Sequence, residues 1–120
     1  MESGKVLVVD DSPTDLHILS GFLVDNGFTP VTASSGEEAI DKARLERPDL
    51  ILMDIVMPGM NGFEATRTLT RDPKTSHIPI VMISSKGQDT DKLWGKRQGA
   101  IDYLVKPVQE SSLIKKLKEL

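Results

Sequence analysis

Four short apolar runs dominate the chain: residues 6–9 (VLVV), 50–53 (LILM), 80–83 (IVMI) and 103–105 (YLV). None alternates with polar residues, and Val, Ile and Leu predominate. Strands covered on both faces read this way, because neither side of the pleat meets water. A fifth segment, residues 29–33 (TPVTA), alternates more and contains Pro30. It suits the edge of a sheet, where a missing backbone N–H costs little.

Helical segments fill the gaps. Ser12, Pro13 and Asp15 read as N-cap, first helical position and first-turn acid. Leu16, Leu19, Phe22 and Leu23 follow at helical spacing until Asn26-Gly27 supplies a stop. Ser35 and Glu38 form a capping-box pattern ahead of Ala39, Ile40 and Ala43, and Pro48 ends that segment. Phe63, Thr66 and Leu69 lie on one face of a third helix that stops before Pro73. A fourth spans about residues 89–98, with Leu93 and Trp94 apolar and Gly99 as its stop; a fifth carries Leu113, Ile114 and Leu117. Strand and helix thus alternate five times, which implies a parallel sheet with right-handed crossovers and helices on both faces. The 120 residues suffice for one buried core, so residues 1–120 read as a single domain.

Charge and composition narrow the function. A net charge of −3 offers no basic footprint, which disfavours nucleic acid as a partner. With no cysteine there is neither a disulfide framework nor a thiolate metal site. No apolar stretch approaches the roughly 18 residues of a membrane span. The opening residues, MESGK, lack a signal peptide's apolar core. A cytoplasmic chain with no membrane contact is the expectation.

In open α/β sheets, ligands bind outside the carboxyl ends of the strands. Asp10 and Asp11 close the first apolar run and Asp54 closes the second, so one parallel sheet brings three carboxylates to that edge. Helix capping explains little of this, because Ser12 already caps the next helix. At about 5 Å and an effective dielectric near 20, each carboxylate pair repels by roughly 3 kcal/mol. A hard divalent cation and a lysine are the obvious counter-charges. Adjacent acids suit the sparse oxygen ligation of Mg²⁺, whose remaining positions hold water. Asp54 leaves its strand toward Met57-Pro58-Gly59, so it is held stiffly and can ligate metal, act as a nucleophile, or both. Lys106 follows the last run, and Pro107 biases it to an extended backbone at the same edge. Ser84 offers a hydroxyl there. His17 and His77 lie away from that edge and are discounted as ligands. Trp94, the sole Trp, reads first as helix packing and second as a docking residue.

In chain order, Val9-Asp10-Asp11, Met53-Asp54-x-x-Met57-Pro58-Gly59, Ser84 and Lys106-Pro107 resemble the CheY-like receiver domain of bacterial two-component response regulators, over essentially the whole chain. Ser12-Pro13-Thr14, residues 61–67 (NGFEATR) and residues 91–100 (DKLWGKRQGA) are similar to stand-alone twitching-motility receivers of the PilH type. The resemblance implies a flavodoxin-like (βα)5 fold, a doubly wound three-layer sandwich with strand order 2-1-3-4-5. It implies Asp54 as phosphoacceptor, and Asp10, Asp11, Asp54 and the backbone carbonyl of Val56 as ligands of Mg²⁺, with Mn²⁺ as a substitute. Lys106 would contact the phosphoryl group, while Ser84 and Tyr103 would take the hydroxyl and aromatic switch positions. A CheA-like histidine kinase would supply the phosphoryl group. A protein target would read the face formed by the fourth helix, fifth strand and fifth helix. The chain would be a monomeric switch in pilus or chemotaxis-like signalling, catalysing only its own phosphorylation and dephosphorylation. Val56 and Lys86 flank the expected site, at positions suited to tuning the phosphoryl lifetime.

The same residues bear on other functional classes. With no output domain after Leu120, the chain would act by contact or as a phosphate sink; a receiver excised from a larger regulator would look the same. Aspartate-nucleophile phosphatases and phosphotransferases also place Asp and Mg²⁺ at a sheet edge, but many carry a second acid where this chain has Val56. An FMN-binding module is opposed by the Asp-Asp pair and by the lack of a Ser/Thr-rich phosphate loop after the first strand.

Overall fold

The structure, a computed structural model, describes residues 1–85 and 89–120, with residues 89 and 90 as backbone alone. Lys86, expected beside the site, lies outside the described residues. Strands and helices alternate as β1 (Gly4–Val9), α1 (Pro13–Asp25), β2 (Phe28–Ala33), α2 (Gly36–Glu46), β3 (Leu50–Asp54), α3 (Gly62–Arg71), β4 (Ile80–Ser84), α4 (Asp89–Gln98), β5 (Asp102–Val105) and α5 (Glu110–Lys118). The strands pair in parallel in the order β2-β1-β3-β4-β5. Every residue of β3 and β4 is buried, which is why those runs do not alternate. β2, with Pro30, takes an edge as its sequence suggests.

Successive side chains of the central strands feed opposite cores. Leu7, Val9, Ile51, Met53 and Met82 pack with Ala39, Ala43, Ala65 and Leu69 of α2 and α3. Val6, Val8, Leu52, Val81 and Ile83 pack with Leu19 and Leu23 of α1 and with Leu113 and Leu117 of α5. α4 lies beside α3, with Gly95 against Met82. The result is a three-layer sandwich with the sheet in the middle.

Helix ends follow local chemistry. The Ser12 hydroxyl accepts the Asp15 N–H (3.3 Å) with Pro13 in the first turn, and Gly27 supplies the positive φ of 87° after α1. At α2 the Ser35 hydroxyl accepts the Glu38 N–H (3.1 Å), but the Glu38 carboxylate accepts from Ser34 (2.9 Å) rather than Ser35. The expected box is thus closed one residue early. A full reciprocal box joins Asn61 and Glu64 at α3 instead. No helix is long and apolar enough to cross a membrane among the described residues.

Candidate functional site

β1 and β3 are neighbours with Val9 opposite Met53, so Asp10 and Asp54, the next residues along, finish side by side. Their backbones are fixed from both flanks. The Asp10 N–H donates to the Ala33 carbonyl and the Ile55 N–H to the Ile83 carbonyl, each at 3.1 Å. α3 begins hard against the same strand end: the Gly62 N–H donates to the Ile55 carbonyl at 2.8 Å. A Cβ on Gly62 would lie 2.1 Å from the Asp54 carbonyl oxygen, so only glycine permits this approach.

Asp10 and Asp54 are buried and Asp11 is exposed. One carboxylate oxygen from each lies within 4.8 Å of the others. Asp10 Oδ1 also accepts the Ser12 N–H (2.9 Å), which ties the first acid to the start of α1. Lys106 arrives from the end of β5. Its backbone N–H donates to the Ser84 carbonyl (2.7 Å), and its bond to Pro107 is cis. Its Nζ lies 2.8 Å from Asp10 Oδ2, 3.1 Å from Asp15 Oδ2 and 3.2 Å from Asp54 Oδ1.

Burial first, then the Asp10 charge, pushes the Asp54 carboxyl up to about 6 against the restraining charge of Lys106; Asp11 adds to the rise. For Lys106, burial works against its charge, but the hydrogen bond it donates to Asp10 and the charge of Asp54 outweigh it and raise its pKa. The lysine therefore stays an ammonium. Among the described residues, the ammonium of Lys106 stands in a cluster with four carboxylates, those of Asp10, Asp11, Asp15 and Asp54, so that cluster keeps a negative excess. All donors are oxygens, two of the acids are buried, and the charge is unbalanced. That set fits a hard divalent cation.

The other expected residues surround this cluster. Ser84 is buried at the end of β4, and its hydroxyl donates to Asp91 Oδ2 on α4 (3.2 Å). Tyr103 pairs with Met82, two residues back from the edge, and packs on the core beneath α2 and α3. Lys92 of α4 sits over its ring, 5.4 Å from the centroid. The Val56 side chain is 68% exposed. His17 and His77 are exposed and join no part of the cluster. Trp94 is half exposed and lines a groove of about 270 Å³ with Asn61, Phe63, Arg67 and Gln98. Sequence reasoning missed Asp15 as a member of the site, having read it only as a first-turn acid. The signal was its place in the first turn of α1, five residues after Asp10, where that helix starts at the same sheet edge.

The response regulator receiver domain family matches residues 6–118. Over 111 residues the chain is 53% identical to the protein PilH of Pseudomonas aeruginosa, covering 92% of each. The structure of the Vibrio cholerae chemotaxis protein CheY4 matches with a TM-score of 0.92 and 37% identity, covering 98% of both chains. A chain in the CheX–CheY–BeF3–Mg²⁺ complex of Borrelia burgdorferi matches with a TM-score of 0.90 and 27% identity, over 96% of this chain and 87% of that one. With its βα order, its acidic edge and these relatives in agreement, the chain belongs to the response regulator receiver domain family of two-component signalling.

Proposed function

We propose that this receiver accepts a phosphoryl group from a histidine kinase on Asp54 and thereby changes its affinity for a protein partner. The observation that carries the reading is the ammonium of Lys106 set among Asp10 and Asp54, beside the open carboxylate of Asp11. In the transfer, an oxygen of the Asp54 carboxylate attacks phosphorus. A P–O bond forms, the P–N bond to the kinase imidazole breaks, and its electron pair returns to that nitrogen. Little covalent help is needed; positioning and neutralisation of charge dominate such reactions.

Asp10, Asp11, Asp54 and the Val56 carbonyl would hold Mg²⁺, or Mn²⁺ in its place. The bound ion supplies charge neutralisation between acceptor and phosphoryl oxygens. Lys106 offers the protein's own positive charge to the same oxygens. Ser84 and Tyr103 act as switch residues. A hydroxyl drawn toward a phosphoryl group at Asp54 gives up Asp91, and α4 feels the change through Asp91 and Lys92 together. The face of α4, β5 and α5 is the surface a partner reads. Val105 is part-exposed there.

Similarity to PilH favours a role in pilus or chemotaxis-like signalling, and a CheA-like kinase is the donor we propose for it. The BeF3 and Mg²⁺ in the Borrelia complex support the chemistry assigned to the acidic edge. An aspartate-nucleophile enzyme gains no support, because the position two residues after Asp54 is Val56. The direct test is labelling with acetyl phosphate in the presence of Mg²⁺. Wild type is expected to take label and Asp54→Asn to take none; normal labelling of that variant overturns the assignment.

A further inference from the structure

An ammonium has three N–H bonds, and Lys106 meets three carboxylates. Its contacts to Asp10 and Asp15 are hydrogen bonds, and Asp54 completes the ring at 3.2 Å. The three acids are not equivalent. The side chains of Asp10 and Asp54 are 1% and 6% exposed, whereas that of Asp15 is 40% exposed. Asp10 also answers to the Ser12 N–H, so it is fixed from a second direction. Asp15 alone can exchange the lysine for water at small cost, since exposed ion pairs contribute little.

A phosphoryl group on Asp54 adds acceptor oxygens beside the lysine, and one N–H must turn toward them. The bond to Asp15 is the one most readily given up. We propose that Asp15 is a positioning residue that restrains Lys106, occupying the N–H that an anion on Asp54 requires and releasing it when the anion arrives. This rests on the reading of Asp54 as phosphoacceptor. It adds to that reading a brake set by the first turn of α1. Asp15 opposes the anion as a competitor for the lysine.

The test is a thermal-shift titration of the full chain with beryllofluoride, a phosphoryl analogue, at fixed Mg²⁺. Asp15→Asn is expected to bind the anion about two- to fivefold more tightly than wild type, the scale of one part-exposed charge. Asp15→Glu keeps the charge and is expected to stay close to wild type. Without the anion, Asp15→Asn should melt at or slightly below the wild-type temperature, because α1 loses a first-turn acid. A merely structural role would lower stability without tightening anion binding. In a Lys106→Ala background the gain from Asp15→Asn should largely vanish; if binding there is too weak to titrate, initial labelling rates with acetyl phosphate give the same comparison. Unchanged or weaker binding in folded Asp15→Asn overturns the proposal, and so does a gain that persists in full without Lys106. Failure of the underlying reading looks different: wild type would not respond to beryllofluoride, or Asp54→Asn would respond normally.

Discussion

α5 and α4 are the two helices that flank β5, and they are held in opposite ways. α5 buries Leu113, Ile114 and Leu117 against the sheet. At roughly 1.5–3 kcal/mol for each fully buried aliphatic side chain, those three anchor it. α4 buries only Gly95 and Gln98 among its described side chains, and it leaves Leu93 and Trp94 half exposed. A helix with so little buried apolar surface opens at low free-energy cost. Both proposed switch residues make contacts with this weakly anchored element, Ser84 through Asp91 and Tyr103 through Lys92. The proposed partner face thus joins one fixed helix to one that can be displaced. The proposed phosphoryl chemistry sits at the ends of β1 and β3, in the interior of the sheet.

The contrast is open to direct attack. The largest effect is expected from Leu113→Ala, which empties a fully buried position and should cost about 2–5 kcal/mol by chemical denaturation. Leu93→Ala should fall within about 0.5 kcal/mol of wild type; a cost like that of Leu113 would break the contrast.

Asp54 gives the next largest effect, through pH. Its acid is raised from 3.8 to about 6, so between those values the folded protein binds a proton that the unfolded chain releases. In metal-free protein, stability from this group therefore falls as pH rises through that window. Asp54→Asn should remove that part of the slope and be more stable than wild type at pH 7, by on the order of 2 kcal/mol. Native-state hydrogen exchange then sharpens the comparison. The added global stability should slow exchange in α5 and leave α4 nearly unchanged, because α4 opens locally. Equal slowing in both helices would mean that they unfold as one unit.

The smallest effect is expected from Trp94→Ala. Its ring is half exposed and faces the Arg97 guanidinium at 5.9 Å, so the loss should stay below about 1 kcal/mol. A larger loss would show that α4 is anchored through its exposed side.

Much of this was legible in the chain. The non-alternating runs gave the buried strands because burial on both faces removes the polar half of the pattern, and Pro30 marked an edge. Asp10, Asp11, Asp54 and Lys106 were legible as a cluster because each follows a strand run, and parallel strands finish at one edge. Less legible was whatever depends on distant chain. Asp15 and Lys106 are 91 residues apart, and no local pattern announces their bond. The displaced box at Ser35 depends on which N–H the Glu38 carboxylate reaches, a matter of one residue of backbone path. The box at Asn61 was passed over because the preceding Met-Pro-Gly-Met run reads as loop. Gly62 was not singled out, since its need for close approach to Asp54 exists only once α3 is folded back onto β3.

Pro30 and the brevity of β5 have one more consequence. A parallel sheet of five strands has two outer borders, each a row of amide groups on which another chain can template. Here one border carries a proline that cannot donate, and the other is only four residues long. Both are poor seeds for intermolecular strand addition. A protein whose partners must come and go is thereby spared a competing, self-propagating contact between its own copies.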